Sequence, residues 1–439
     1  MEIKIIPSEN IKPTSPTPNH LKIYKLSLLD QIIPPVFSPT ILYFSPDSIP
    51  ISQKIQLLKD SLASTLTLFY PFAGIIKDHL SVDCNDEGLP FSVATVKGQK
   101  LRDFLENPDM KLINSFLPNE FTWNEGAGPG SNVIKIQLNY FDCFGIAICV
   151  TFAHHIADAT TICQFFKSWA ANAQASCSSL TRPNYIAQSV FPQKVTLQKE
   201  SYLFFPLQKF LKIGKFVTRR YVFDATAIST LQAQSTSSDD KQYPTRVEVI
   251  SAFIWKCFMA AAEKSSKNQK PFLLTHPVNL RRRAEPRFSD DSFGNFLWVA
   301  AAQWTKPLET DLKNLVNEVK RALRGIDKEF VKRMEGENGY YENLEELRKG
   351  IPEEANWFAF SSWLKIDLYE TDFGWGRPVW VSGFVSGESE TVLPNSATLI
   401  ETRSGDGIEA WVILDEKYVA AFENNKELRV FACVNPSVV

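Results

Sequence analysis

The chain has 439 residues, 44% of them hydrophobic and 22% charged, with a formal net charge of −2 and a pI near 6.3. That length exceeds what one hydrophobic core serves, so two domains are expected. Near-neutrality excludes an electrostatic partner such as nucleic acid or an anionic membrane surface. The one dense basic run, Arg281-Arg282-Arg283 with Arg287, is short and reads as a solvated face or as internal ion pairs. Seven cysteines (84, 143, 149, 163, 177, 257 and 433) are odd in number and never form C-x-x-C. They speak against a disulfide framework or a zinc site and for a reducing compartment. The N-terminus lacks the basic start and apolar stretch of a signal peptide, and no apolar run approaches the ~20 residues of a membrane helix. The expectation is a cytoplasmic protein with no membrane and no metal.

In chain order, residues 7–20 are rich in Pro, Ser, Thr and Asn and read as an extended lead-in. Ile55, Leu58, Leu62, Leu66 and Phe69 then recur at helical spacing, a core-facing stripe that Pro71 and Gly74 end. "SNVIKIQLNYF" alternates like a half-buried strand, whereas "FGIAICVTF" is apolar throughout, as a strand covered on both faces would be. Ile162, Phe166 and Trp169 mark the following helix. Periodicity is lost over 173–216, a long Ser- and Pro-interrupted crossover. A second unit includes the helix "RVEVISAFIWKCFMAAA", an amphipathic helix carrying Leu308, Leu312, Leu315, Val319 and Leu323, and a hairpin around Ser-Gly-Asp-Gly. Intermixed strands and helices imply α/β layers. The expected division is a domain over 1–175, a crossover over 176–216 and a domain over 217–439.

Between the fully apolar strand and its helix stands "VTFAHHIADATTICQFF", residues 150–166. Four readings compete for His154, His155 and Asp158. A metal site lacks further His or Cys ligands nearby. A serine-hydrolase triad lacks a G-x-S-x-G elbow. A core histidine satisfied by a carboxylate is the plain structural alternative. The fourth reading is general-base catalysis: a neutral imidazole with a pKa near ~6.5 accepts a proton from a hydroxyl or amine at pH 7. A strand end that turns into a helix is a usual place for a group facing a cleft.

His154-His155-Ile156-Ala157-Asp158 resembles the H-x-x-x-D motif of the plant BAHD acyl-CoA-dependent acyltransferases, and Asp372-Phe373-Gly374-Trp375-Gly376 reproduces their D-F-G-W-G motif. "YKLSLLDQ", "FYPFAG", "RVEVISAFIWK", "VNLRRR", "FGN", "SSWLK" and "TRSGDGIEAWV" look like family blocks in family order. Chloramphenicol acetyltransferase and peptide-synthetase condensation domains share the fold idea with H-H-x-x-x-D. Only His154 has the spacing to Asp158, so His154 is the base and His155 a spacer.

The resemblance implies a two-domain, chloramphenicol-acetyltransferase-like α/β fold with mixed sheets flanked by helices and a channel between the domains. It implies acyl-CoA, with acetyl-CoA the leading choice, as co-substrate with no permanently bound cofactor. The acceptor would be a hydroxyl of an alkaloid, a naphthoquinone such as shikonin, or a terpenoid alcohol, and the enzyme a monomer. Asp158 would point away from substrate and pair with Arg281, or alternatively Arg283. Trp363 matches a tryptophan whose indole N–H faces the oxyanion, with a core aromatic as its alternative. Asp372, Gly374, Trp375 and Gly376 read as scaffolding, with Asp372 pairing with a basic group. Ser251 and Lys256 are candidates for CoA phosphate contacts, or ordinary helix residues. Two departures stand out: Ile75 where the family usually has Arg, and Ala159 where many members have Gly. Amine acylation, a longer or branched acyl chain, and a degenerate binding protein are the competing functions.

Overall fold

The apolar runs Phe37–Phe44 and Ile146–Ala153 pair antiparallel inside a six-stranded sheet, and every residue of the latter is buried, as a strand covered on both faces requires. The structure is a computed structural model that describes the chain apart from residues 119–125, 177–179, 199–201, 211, 237–242, 266–269, 306–309, 337, 384, 386–387 and 393–394. The sheet runs in the order Glu2–Ile11, Leu89–Lys97, Ile134–Phe141, Ile146–Ala153, Phe37–Phe44, Trp380–Ser382. Helix Ile51–Leu68 buries Leu58, Leu62 and Leu66. It locks to helix Ala159–Ala173 where the Trp169 indole N–H donates to the Leu58 carbonyl at 3.0 Å.

The second sheet runs Leu297–Trp304, Phe272–Asn279, Asn356–Ser362, Ser396–Glu401, Ile408–Asp415, Lys212–Phe223, Glu388–Val392. Its hairpin forms around the Ser-Gly-Asp-Gly turn with Glu401 opposite Ile408. The amphipathic helix is Leu312–Arg324, capped by Asp311, with Leu315, Val316 and Val319 buried; Leu308 lies outside the described residues. The six described cysteines are unpaired.

Local boundaries differ from the sequence reading in three places. Part of the lead-in is the edge strand Glu2–Ile11, paired with Leu89–Lys97. The crossover ends sooner, because strand Lys212–Phe223 begins within it. The two halves also exchange pieces. Leu28, Leu29, Ile32 and Ile33 sit in the core of the second half, while Leu368, Phe373, Val379, Trp380 and Val381 sit in the core of the first. Each half is therefore sealed by a segment of the other, and the cut at 217 is a division of chain rather than of core.

One feature of the second sheet prepares the site. Strands Phe272–Asn279 and Asn356–Ser362 run parallel in register only as far as Thr275 opposite Ala359. Pro277 follows, with no N–H to continue a ladder. Beyond that point the strands part, and His276–Asn279 and Ser361–Ser362 line a cavity between them.

Candidate active site

His154 is the first residue beyond strand Ile146–Ala153, and three main-chain bonds fix it there. Its N–H donates to the Val36 carbonyl at 2.8 Å, and the N–H of Ala153 donates to the Val133 carbonyl at 2.8 Å. Its own carbonyl accepts from Asn295 Nδ2 at 2.9 Å. The residue is half-buried. Its Nδ1 is enclosed and unbonded, which leaves Nε2 as the nitrogen offered to a ligand. Burial pushes the imidazole below its ordinary pKa, opposed by its own main chain, the Asp158 charge and Asn295. The ring is therefore neutral at pH 7, as a base must be. His155 is buried and held at about 4 by burial and by His154.

Two cavities meet at this ring. The first, about 400 Å³, lies against the parting strands and includes Arg282, Arg283 and Lys365. The second, about 170 Å³, is lined by Pro39, Phe360, Ile400, Trp411 and several hydroxyl-bearing residues, with no charged side chain among its described lining. His154, Ser361 and Trp363 belong to both.

Asp158 caps helix Ala159–Ala173, accepting from Thr161 N at 2.9 Å. Arg281 Nη1 and Nη2 donate to its two oxygens at 2.6 and 3.2 Å, and Phe296 N donates at 3.1 Å. Burial would raise this carboxyl, but the Arg281 charge and these N–H groups hold it below the usual range. Every oxygen is occupied, so Asp158, grouped from sequence with the catalytic residues, is built as a brace. Arg281 is wholly buried and also donates to the Ser292 and Gly294 carbonyls at 2.8 and 3.0 Å. Arg283 does not reach Asp158; it lines the first cavity with no ion-pair partner among the described residues.

The turn at 294–296 is clamped from a second side by Asp30, a residue the sequence reading did not single out. Asp30 accepts from Asn295 N at 2.7 Å and Asn295 Nδ2 at 3.0 Å, and from Ser27 N and Oγ at 2.9 and 2.7 Å. Burial raises its carboxyl to about 6 against those bonds. Gly294 has φ +114°, and a Cβ there would lie 3.2 Å from the Asp30 carboxylate, so glycine is required. Asn295, visible in sequence only as part of "FGN", thus ties Asp30 to the His154 carbonyl.

A family model described as the Transferase family matches residues 1–429. The chain is 40% identical to the limonoid 7-O-acetyltransferase of Citrus sinensis, over 99% of both chains. It is 35% identical to akuammiline synthase 2 of Alstonia scholaris, over 100% of this chain and 98% of that one. The crystal structure of vinorine synthase superposes with a TM-score of 0.82 at 28% identity, covering 98% of each chain. The chain belongs to the BAHD acyltransferase family.

As a BAHD member it is an acyltransferase, and its remaining motif residues fall away from the two cavities. In D-F-G-W-G the Asp372 carboxylate accepts from Gly374 N at 2.8 Å and Gly376 N at 3.0 Å, closing the turn on itself instead of pairing with a basic group. Phe373 packs edge-on to Trp169 at 4.9 Å, and Trp375 stacks on Phe373 and lies under Lys54. No residue of the segment lines either cavity.

Ser251 is wholly buried with its hydroxyl enclosed. Lys256 pairs with Glu427 through bonds of 2.9 and 2.7 Å. Neither is among the residues that line the first cavity; they lie farther along the helix, past Thr245–Glu248, which do line it. Among the described residues no three His, Cys, Asp or Glu side chains converge to hold a metal, and no helix is long and apolar enough to cross a membrane.

Proposed function

We propose that this BAHD enzyme transfers an acetyl group from acetyl-CoA to a hydroxyl of an apolar plant metabolite, with His154 as general base. The observation that carries the proposal is the shared imidazole between two cavities of opposite character. The first, with Arg282, Arg283 and Lys365, suits the phosphates of CoA, for which arginine is the better-matched cation. The second, uncharged and bearing the Ser38 and Thr398 hydroxyls, suits a terpenoid-type alcohol, in line with the limonoid acetyltransferases at 40% identity. An alkaloid alcohol is the second reading, favoured by the likeness to stemmadenine O-acetyltransferase of Catharanthus roseus at 33% identity. An amine acceptor would enter as a cation, and the second cavity has no carboxylate among its described lining to receive it.

In this mechanism His154 takes the acceptor O–H proton as the oxygen bonds to the thioester carbon. The tetrahedral adduct collapses by breaking its C–S bond, and the imidazolium returns the proton to the departing thiolate. A thiolate leaves readily, with a thiol pKa of about 8.5, so one base and an oxyanion donor suffice. The Trp363 indole, shared by both cavities, is the proposed donor. Asp158 and Arg281 keep the turn rigid, because a base displaced by ~1 Å loses much of its effect. The working enzyme is taken as a cytoplasmic monomer. Incubation with acetyl-CoA and a panel of terpenoid and alkaloid alcohols, read by thiol release and product mass, tests the reading. A product heavier by one acetyl group is expected; no thiol release with any pair above that of His154→Ala would sink it.

A further inference from the structure

The second cavity measures about 170 Å³, below the roughly 300 Å³ at which pockets for drug-sized ligands begin. It has room for the hydroxyl-bearing ring of a polycyclic alcohol rather than for the whole molecule, so the width between its walls matters. Those walls are unlike. The second sheet contributes bulk, through Phe360, Ile400 and Trp411. The edge of the first sheet contributes little, through Ser38, Pro39 and Gly383. Gly383 stands one residue past strand Trp380–Ser382, whose Ser382 pairs with Ile41 of strand Phe37–Phe44, and this brings it beside Pro39.

Gly294 is glycine because of its φ and the Asp30 carboxylate; at Gly74 an added Cβ would stand 2.5 Å from the Asp83 carbonyl oxygen. Gly383 has neither reason. Its φ lies outside the left-handed region. Beyond its chain neighbours, the nearest atom to an added Cβ among the described residues is the Pro39 carbonyl oxygen, at 4.0 Å. Backbone and packing would both admit a side chain, and glycine loses more conformational freedom on folding than any other residue. What its missing side chain leaves is free space on the wall of the cavity that His154 also lines. Resting on the acyl-transfer reading, we propose that Gly383 is a specificity-determining residue: its bare backbone gives a ring-borne secondary hydroxyl of a polycyclic alcohol the width to reach His154. An open-chain primary alcohol carries a single slim carbon at its reacting oxygen and does not need that width.

Gly383→Ala and Gly383→Leu are compared with wild type, using acetyl-CoA and two acceptors. These are the polycyclic secondary alcohol that wild type turns over fastest and an open-chain primary terpenoid alcohol. The quantity read is the ratio of kcat/KM, polycyclic over open-chain, which does not depend on how much of a variant folds. One methyl in a close-fitting pocket changes discrimination by about tenfold, so the ratio is expected to fall about tenfold in Gly383→Ala and about 10²-fold in Gly383→Leu. An unchanged or rising ratio in either variant overturns the assignment. So does a wild type that acetylates open-chain alcohols and no polycyclic one. A failure of the acyl-transfer reading shows elsewhere, as a wild type that releases no thiol with any alcohol, and overturns both.

Discussion

Residues His154–Asp158 and Asp372–Gly376 both occupy turns next to buried aromatic packing, and both are readable as motifs, yet their polar groups point in different directions. In the first, one imidazole is left facing two cavities while the carboxylate is saturated by Arg281, Thr161 and Phe296. In the second, the carboxylate is consumed by the N–H groups of its own turn, and the aromatics bury into the first half's core. A motif with a free polar group at a cavity is a candidate for chemistry. One whose polar groups are internally satisfied holds a shape.

The largest expected effect would confirm or break that contrast. His154→Ala should lose about 10²- to 10⁴-fold in kcat with an unchanged Tm, measured by thiol release and calorimetry. Asp158→Ala should destabilise by about 3–5 kcal/mol, since it leaves the Arg281 charge buried without a partner; urea melts read this directly. Phe373→Ala, in the other motif, should cost a similar ~3–5 kcal/mol by opening a cavity, while kcat per folded molecule is kept. Loss of kcat in the folded fraction would assign D-F-G-W-G a chemical role. Gly376→Ala should cost only about 1–3 kcal/mol, because φ is +101° and the added Cβ meets no atom.

The two motifs also differ in how pH reaches them. Burial lowers the His154 pKa and the base works only unprotonated, so the acidic limb of kcat/KM should fall below pH 6.5, seen in a rate profile at fixed ionic strength. The Asp158 carboxyl is lowered overall, so its contribution to stability is present above its unfolded value of 3.8 and is lost as pH drops through the folded one. Acid melts of Asp158→Asn should lack that loss below about pH 4.

Much of the fold was legible because periodicity and breakers are local properties. The stripe at Leu58, Leu62 and Leu66, the fully apolar strand at 146–153 and the Ser-Gly-Asp-Gly hairpin all form as their residue patterns imply. The second half of the edge strand Glu2–Ile11 was less legible, since Pro7-Ser8-Glu9-Asn10 carries no alternation. That Ser251 and Lys256 lie outside the lining of the first cavity was not legible, because a helical position says nothing of which side of the helix a cavity lies on.

Composition, spacing and the two motifs together determined the family, the α/β class and the identity of the histidine, because each depends on residues close in the chain. Which arginine meets Asp158, that Asp30 and Asn295 hold the His154 carbonyl, and that Gly383 and Pro39 share a wall of the second cavity were decided by tertiary structure alone. Those relations join positions more than a hundred residues apart. They arise where strands part and where one half of the chain seals the other's core, and neither event leaves a local trace.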